Sequence, residues 1–313
     1  MTKPTVLMTG SYPDWDMQAL EADYDIIKLW EAADKEAVLA SCADNVRAIA
    51  TRGDLGASKA LIDCLPRLEF IGCFGVGTDG IDRSATRPRG IKIANTPDVL
   101  TEDVADLAIG LMLAVARKIV SGDGFTRDGS WAKGSLELVT RVNGKRLGII
   151  GLGRIGKAIA RRAEAFNMSV SYFGRHAQSE VSFRYFNSLT DLAGNSDFLV
   201  AIVPGGAETN GLINAEVFKA LGPNGYFINV ARGSVVDEAA LLAALEQNII
   251  KGAGLDVFAN EPHIDPRFAK LDNVVLHPHH GSGTVETRKA MGQLVRDNLA
   301  AHFAGRPLLT EIA

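Results

Sequence analysis

Short apolar runs, each closed by glycine or a polar cluster, recur along the first third of the chain, with stretches of helical length between them. Val6-Leu7-Met8 leads to Gly10, Ile26-Ile27 follows Tyr24, and Val46-Arg47-Ala48-Ile49-Ala50-Thr51 leads to Gly53. Leu68–Cys73 and Ile91–Ala94 continue the series, and Met17–Asp23, Lys35–Cys42 and Ser58–Leu65 are the helix-compatible segments between. Strands alternating with helices at this spacing predict a parallel sheet covered on both faces.

A long helix is expected from Thr101, whose hydroxyl can cap it, to about Val120, with Glu102 and Asp103 favourably placed in its first turn. A looser segment, Ser121 to Asn143, holds Gly122, Gly124, Gly129, Gly134 and Trp131; it reads as an arm over the surface or a contact with a second subunit. From Lys145 the alternation restarts. Leu147–Ile150, Ser169–Phe173, Asp197–Val203, Gly225–Val230, Gly252–Val257 and Asn273–Leu276 read as strands, Arg154–Phe166 as a helix, and Val285–Phe303 as the final helix.

Composition narrows the class. With 313 residues, 47% of them apolar and 22% charged, the chain fits two ordinary soluble domains. A net charge of −4 with no basic block argues against nucleic acid as a partner. The longest apolar stretch, Leu107 to Ala116, lies between Asp106 and Arg117. It falls far short of the ~20 residues that cross a bilayer and reads as a buried helix. Cys42, Cys64 and Cys73 are too few and too irregular for a disulfide framework or a zinc site, and are expected to be small core residues. The first residues show no cleavable signal pattern, so the expected location is the cytoplasm.

The candidate chemistry begins at Gly151-Leu152-Gly153-Arg154-Ile155-Gly156. A strand precedes it, a helix follows, and a second strand closes the unit about 20 residues on, the context a dinucleotide-binding loop requires. Gly151 permits a tight turn, Gly153 lets a pyrophosphate approach the backbone, and Gly156 lets the helix pack close to the sheet; the free N–H groups at the helix start favour the anion. The second strand ends in Tyr172-Phe173-Gly174-Arg175-His176. No carboxylate stands there to bind a ribose 2′-hydroxyl, whereas Arg175 can fork onto a 2′-phosphate and Gly174 leaves room for it. NADP(H) is therefore the expected cofactor, with NAD(H) possible.

Three ionisable residues follow, each at the end of a strand-to-loop segment: Arg232 in Val230-Ala231-Arg232-Gly233, Glu261 before Pro262, and His279 in Pro278-His279-His280-Gly281. A guanidinium at 232 can fork onto a carboxylate and polarise the neighbouring keto oxygen. An imidazole and a carboxylate supply a proton donor and the group that tunes it. His277 and His280 beside His279 raise the question of a metal, but no cysteine or acidic ligand is spaced to complete a site, and none is expected.

With these segments, and with Phe74–Asp82 and Asn95–Asp106, the chain resembles the D-isomer-specific 2-hydroxyacid dehydrogenase family over nearly its whole length. Within the family it is most similar to the glyoxylate/hydroxypyruvate and hydroxyphenylpyruvate reductase branch. The resemblance implies an α/β protein of two Rossmann-like, doubly wound parallel-sheet domains with the active site in the cleft between them. Residues 1–98 plus 286–313 would form the substrate-binding, flavodoxin-like domain and 99–285 the dinucleotide-binding domain. It further implies His279 as the acid in reduction, Glu261 as its partner, and Arg232 on the substrate carbonyl and carboxylate. The backbone N–H groups of Val76 and Gly77 would hold that carboxylate. Thr101 would lie near the nicotinamide, Asp256 would orient the carboxamide, and Val203 and Pro204 would line the adenine side. Val230, Ala231 and Gly281 join the expected cofactor contacts, and a homodimer is the expected assembly. Phe74-Gly75 and His280 depart from the usual pattern. The expected activity is NADPH-preferring reduction of a small 2-keto acid to the D-2-hydroxy acid; a phosphoglycerate dehydrogenase-like enzyme and a dinucleotide-sensing, corepressor-like binding protein are the alternatives.

Overall fold

The computed structural model, which describes residues 3–312, divides into two compact units: the segment up to Leu100 together with that from Ser282 onward, and Thr101–Gly281. In the first unit β1 (Thr5–Met8), β2 (Asp25–Lys28), β3 (Val46–Arg52), β4 (Phe70–Phe74) and β5 (Lys92–Ala94) form a sheet in the order β2-β1-β3-β4-β5. Every pairing is parallel. The central strands are continuous apolar runs because both faces of a parallel sheet are covered. Val6, Leu7, Met8, Ile49, Phe70 and Ile71 are accordingly buried. The edge strand β2 is only half-buried and carries Asp25 and Lys28 at its ends, which discourages further pairing. The last helix, Val285–Phe303, starts under a cap from the Thr284 hydroxyl to the Thr287 N–H (3.2 Å). Gly72 of β4 leaves room for Val295 of that helix, 3.4 Å from where a β-carbon would stand.

The second unit holds β6 (Arg146–Ile150), β7 (Ser169–Phe173), β8 (Arg184–Phe186), β9 (Phe198–Ala201), β10 (Tyr226–Asn229), β11 (Gly252–Leu255) and β12 (Val274–Leu276). The order is β12-β11-β10-β9-β6-β7-β8, again all parallel. The chain winds outward from β6 to β8 and then returns to lay β9 on the other side of β6. That reversal is the topological switch point at which doubly wound sheets bind ligands, outside the carboxyl ends of the strands. Glycines 252 and 254 admit the helix Thr101–Ala116 onto β11: a β-carbon on Gly254 would lie 2.9 Å from Leu111 Cβ. Arg161 and Arg162 of the helix Arg154–Ala165 pair with Glu102 and Asp106 and fasten it to the same helix.

Three expectations are corrected. The helix from Thr101 stops at Ala116, because Lys118 turns left-handed (φ +50°) and a new helix, Ile119–Arg127, begins. The supposedly loose segment after Val120 is thus helical to Arg127, with a further single turn at Ser130–Lys133. Cys42 and Cys73 are buried as core residues, but Cys64 is exposed at the end of the helix Lys59–Asp63. No helix of the described residues is long and apolar enough to cross a membrane.

Candidate active site

Six loops of the second unit, those after β6, β7, β9, β10, β11 and β12, leave the carboxyl edge of one parallel sheet, and they carry nearly all of the expected chemistry. After β6 comes Gly151, with φ +99°; a β-carbon there would lie 2.9 Å from the Ile202 carbonyl oxygen and from Val203 Cγ1 in the loop after β9. Only glycine fits this crossing of the two switch-point loops, which also brings Val203 and the exposed Pro204 beside the turn. A β-carbon on Gly156 would stand 2.3 Å from the Gly151 carbonyl, so the opening of the helix Arg154–Ala165 lies directly against its own loop. Gly153 differs from both. It is exposed, a β-carbon on it would meet nothing within 4 Å, and no side chain caps the helix that starts after it. Uncapped amides at the positive end of a helix, with open space in front, suit a pyrophosphate. Leu152 is buried beneath, Arg154 is exposed and Ile155 half-buried.

The loop after β7 is tied to this turn. Gln178 donates from its side chain to the Leu152 carbonyl (2.8 Å) and from its backbone N–H to the Tyr172 hydroxyl (2.6 Å). Gly174 accepts from the Tyr185 hydroxyl (3.2 Å) and faces open space, while Arg175 and His176 are exposed. The nearby carboxylate, Glu180, is taken by Lys157 (2.9 Å).

After β10, the buried Asn229 shapes the turn that carries Arg232. Its Oδ1 accepts from the Ala231 N–H (3.0 Å) and its Nδ2 donates to the Arg232 carbonyl (3.0 Å). Val230 and Ala231 are buried, and the half-buried guanidinium donates from Nη1 to the Ala231 carbonyl (2.8 Å). Gly233 then touches the loop after β11: a β-carbon would fall 1.9 Å from the Phe258 carbonyl carbon. That second loop carries Glu261, whose Oε1 accepts from the Phe258 N–H (2.8 Å). Glu238, in the first turn of the helix Glu238–Glu246, accepts from the Ala259 N–H (2.9 Å).

His279 follows β12. Its Nδ1 lies 2.5 Å from Glu261 Oε2, with the two side chains 31% and 25% exposed. A carboxylate accepts only, so Nδ1 carries its proton toward Glu261 and Nε2 is the atom left for a substrate. His279 is held at φ +49°, a left-handed conformation that costs a non-glycine residue ~1 kcal/mol or more. The structure thus brings Arg232, Glu261 and His279 to one edge of one sheet with the glycine loop. Asp256 is 2% exposed. Its carboxylate accepts from His277 Nδ1 (2.6 Å), the His280 N–H (2.8 Å) and the Gly281 N–H (3.0 Å), so it anchors the turn that bears His279. Thr101 opens the helix Thr101–Ala116 and is half-buried. Among the described residues no cluster of three His, Cys, Asp or Glu side chains is placed to hold a metal.

Val76 and Gly77 belong to the first unit, in the turn after β4. The Gly75 carbonyl accepts from the Thr96 N–H (3.0 Å), the Val76 carbonyl from Asn95 Nδ2 (2.8 Å) and the Gly77 carbonyl from the Cys73 thiol (3.5 Å). A trans peptide points its N–H opposite the preceding carbonyl. The Val76 and Gly77 amides are therefore aimed away from Thr96 and Asn95. Asn229, Gly233, Glu238 and His277 were not among the expected site residues; Gly233, directly after Arg232, and His277, weighed only as a metal ligand, carried a local signal.

A family profile described as "D-isomer specific 2-hydroxyacid dehydrogenase, NAD binding domain" matches residues 109–281. The chain is 48% identical to a hydroxyphenylpyruvate reductase of Plectranthus scutellarioides over 98% of each chain. It superposes on a 2-hydroxyacid dehydrogenase of Ketogulonicigenium vulgare with a TM-score of 0.93 at 50% identity, covering 100% of this chain and 99% of that one. With an NADPH-dependent glyoxylate/hydroxypyruvate reductase of Sinorhizobium meliloti, solved with NADP and malonate, the TM-score is 0.94 at 43% identity, covering 100% and 97%.

Proposed function

We propose that this chain, which belongs to the D-isomer-specific 2-hydroxyacid dehydrogenase family, reduces a small 2-keto acid to the D-2-hydroxy acid and takes NADPH in preference to NADH. It is an oxidoreductase of the glyoxylate/hydroxypyruvate and hydroxyphenylpyruvate reductase branch. The observation that carries the reading is the His279–Glu261 pair at 2.5 Å, on the same sheet edge as Arg232 and an open glycine turn.

The residues present fit a dinucleotide: the space before Gly153 and the uncapped helix would take the pyrophosphate, and Gly174 and Arg175 the 2′-phosphate end. When bound, the nicotinamide supplies the hydride. His279 releases the Nε2 proton to the keto oxygen and keeps Nδ1–H on Glu261, so the ring passes from imidazolium to neutral imidazole without losing its orientation. Arg232, turned off the Ala231 carbonyl, would fork onto the substrate carboxylate and stabilise the charge developing on the carbonyl oxygen. The Val76 and Gly77 amides are assigned the substrate carboxylate, and Thr101, Val203, Pro204, Val230, Ala231 and Gly281 the remaining cofactor contacts. Asp256 is assigned the carboxamide in addition to the three donors it already accepts.

The family likeness supports a homodimer. So does a run of exposed apolar residues on the segment after Ala116: Val120 (62% exposed), Trp131 (69%) and Leu138 (101%). Light scattering on the purified chain tests this, and a monomer at micromolar concentration would refute it.

The test of the main reading is kcat/KM for glyoxylate, hydroxypyruvate, phenylpyruvate and 4-hydroxyphenylpyruvate, each with NADPH and NADH. One keto acid should be reduced efficiently, to the D-product on a chiral column. NADPH should be favoured by about ten- to a hundredfold, the worth of one charge-assisted contact, and Arg175→Ala should remove most of that preference. An L-product, or a parent ratio near one, would overturn the corresponding part.

A further inference from the structure

We infer that His277 is a positioning residue for proton transfer: through the buried carboxylate of Asp256 it holds the turn 277–281 in the shape that presents His279. The inference rests on the reading of His279 as the proton donor.

The strand register creates the arrangement. Leu255 of β11 pairs with Leu276 of β12, so Asp256 and His277 leave their strands side by side. The ladder continues one step further, from the His277 N–H to the Leu255 carbonyl (2.8 Å), and then from the His279 N–H to the Asp256 carbonyl (2.7 Å). Beyond that point the backbone departs from the sheet, and the Asp256 side chain takes over. Its Oδ2 accepts the Gly281 N–H, and its Oδ1 accepts both the His280 N–H and His277 Nδ1. Gly281 lies close against this clasp: a β-carbon there would stand 3.1 Å from Asp256 Oδ2 and 3.3 Å from Val104 Cγ2, so a larger residue would press on both. His279 is thus flanked on both sides by bonds to a single carboxylate, and it alone in the turn adopts a left-handed backbone (φ +49°).

A conformation of that kind persists only where its surroundings over-determine it. Asp256 is buried to 3% side-chain exposure, and among the described residues His277 is the one side chain that bonds it. Without that donor, Oδ1 would depend on the His280 amide alone, and the carboxylate could turn and release the turn it clasps. The His279 ring would then lose its alignment on Glu261. His277 itself is 34% exposed and lies outside the Glu261 pair, so its effect on chemistry runs through Asp256.

The experiment uses the full chain and the keto acid that the panel above selects. NADPH oxidation is followed in single turnovers, in water and in deuterium oxide, for the parent, His277→Leu, His277→Asn and His279→Gln. Leucine keeps bulk without a donor, whereas asparagine places an N–H near the position of Nδ1. His277→Leu should slow the chemical step by about tenfold or more, the scale of losing one hydrogen bond to a charged group. Its KM for keto acid and Kd for NADPH should stay within about twofold, and its solvent isotope effect should rise as proton delivery becomes more limiting. His277→Asn should recover most of the rate. A parent-like rate in His277→Leu, a loss that asparagine does not rescue, or an unchanged isotope effect would overturn the inference, the last by showing a merely structural role. If His279→Gln is inactive while His277→Leu matches the parent, this inference alone falls; if His279→Gln keeps the parent rate, both it and the assignment of His279 fall.

Discussion

Glu261→Gln removes a charge and little else, and the structure fixes what should follow. Glu261 uses both oxygens, Oε2 toward His279 Nδ1 at 2.5 Å and Oε1 toward the Phe258 N–H at 2.8 Å. Glutamine has one acceptor oxygen, so in either orientation its NH2 group faces another N–H. The imidazole can escape by holding its one proton on Nε2 and accepting from the glutamine NH2 at Nδ1, but the ring is then neutral and could give that proton up only by becoming an imidazolate. A hydrogen bond to a charged group is worth ~1.5–3 kcal/mol. With side chains 31% and 25% exposed, solvent compensates for part of that. The lower half of the range, ~1.5–2 kcal/mol, corresponds to a fall in kcat of roughly 10- to 30-fold. The assay is the initial rate of NADPH oxidation at saturating keto acid, with the NADPH Kd measured separately by fluorescence and expected to hold within about twofold. A kcat within about threefold of the parent would refute the reasoning, because the pair would then orient nothing that the reaction needs.

The other predictions concern the cofactor loop and the C-terminal helix. Gly156→Ala should lower Tm by several degrees and weaken NADPH, since its β-carbon would stand 2.3 Å from a backbone oxygen and overpacking costs ~1–3 kcal/mol. Gly153→Ala, with nothing within 4 Å, should leave Tm unchanged and weaken NADPH alone; equal Tm losses in the two variants would contradict this division. His302 stacks on Phe70, and burial pushes its imidazole below the ordinary value against the opposing pull of Glu69 at 3.2 Å. The folded state then holds fewer protons than the unfolded one, so this group's contribution to stability is lost as pH falls below ~6.5 toward the depressed folded value. The urea midpoint should therefore drop more in the parent than in His302→Phe between about pH 7 and pH 5.5, and equal drops would show that His302 is not responsible.

Much of this was legible in the sequence because its signals are local. Gly151, Gly153 and Gly156 stand between a strand and a helix, and Arg232, Glu261 and His279 each end a recognisable strand-to-loop segment. Both sheets could be anticipated, since continuous apolar runs such as Val6-Leu7-Met8 mark strands buried on both faces. What escaped depends on partners distant in sequence, or on elements too short for periodicity to act. β8 is only Arg184–Phe186, and Arg184 lies over the ring of Phe186, so no apolar run marks it. The break after Ala116 rests on a left-handed lysine, Lys118, in a stretch whose apolar pattern continues into Ile119 and Val120. The clasp of Asp256 on the His279 turn arises from the Leu255–Leu276 register, which no window of sequence contains.

The most direct test of the central claim is to mix preformed enzyme–NADPH complex with the preferred keto acid in a stopped-flow instrument, for the parent and for His279→Gln. The parent should oxidise NADPH within one turnover and yield the D-hydroxy acid. The variant should bind NADPH as tightly but oxidise it at least about a hundredfold more slowly, the usual contribution of a positioned general acid. A variant rate within about tenfold of the parent would show that the proton comes from elsewhere and that the His279–Glu261 pair is not the catalytic centre.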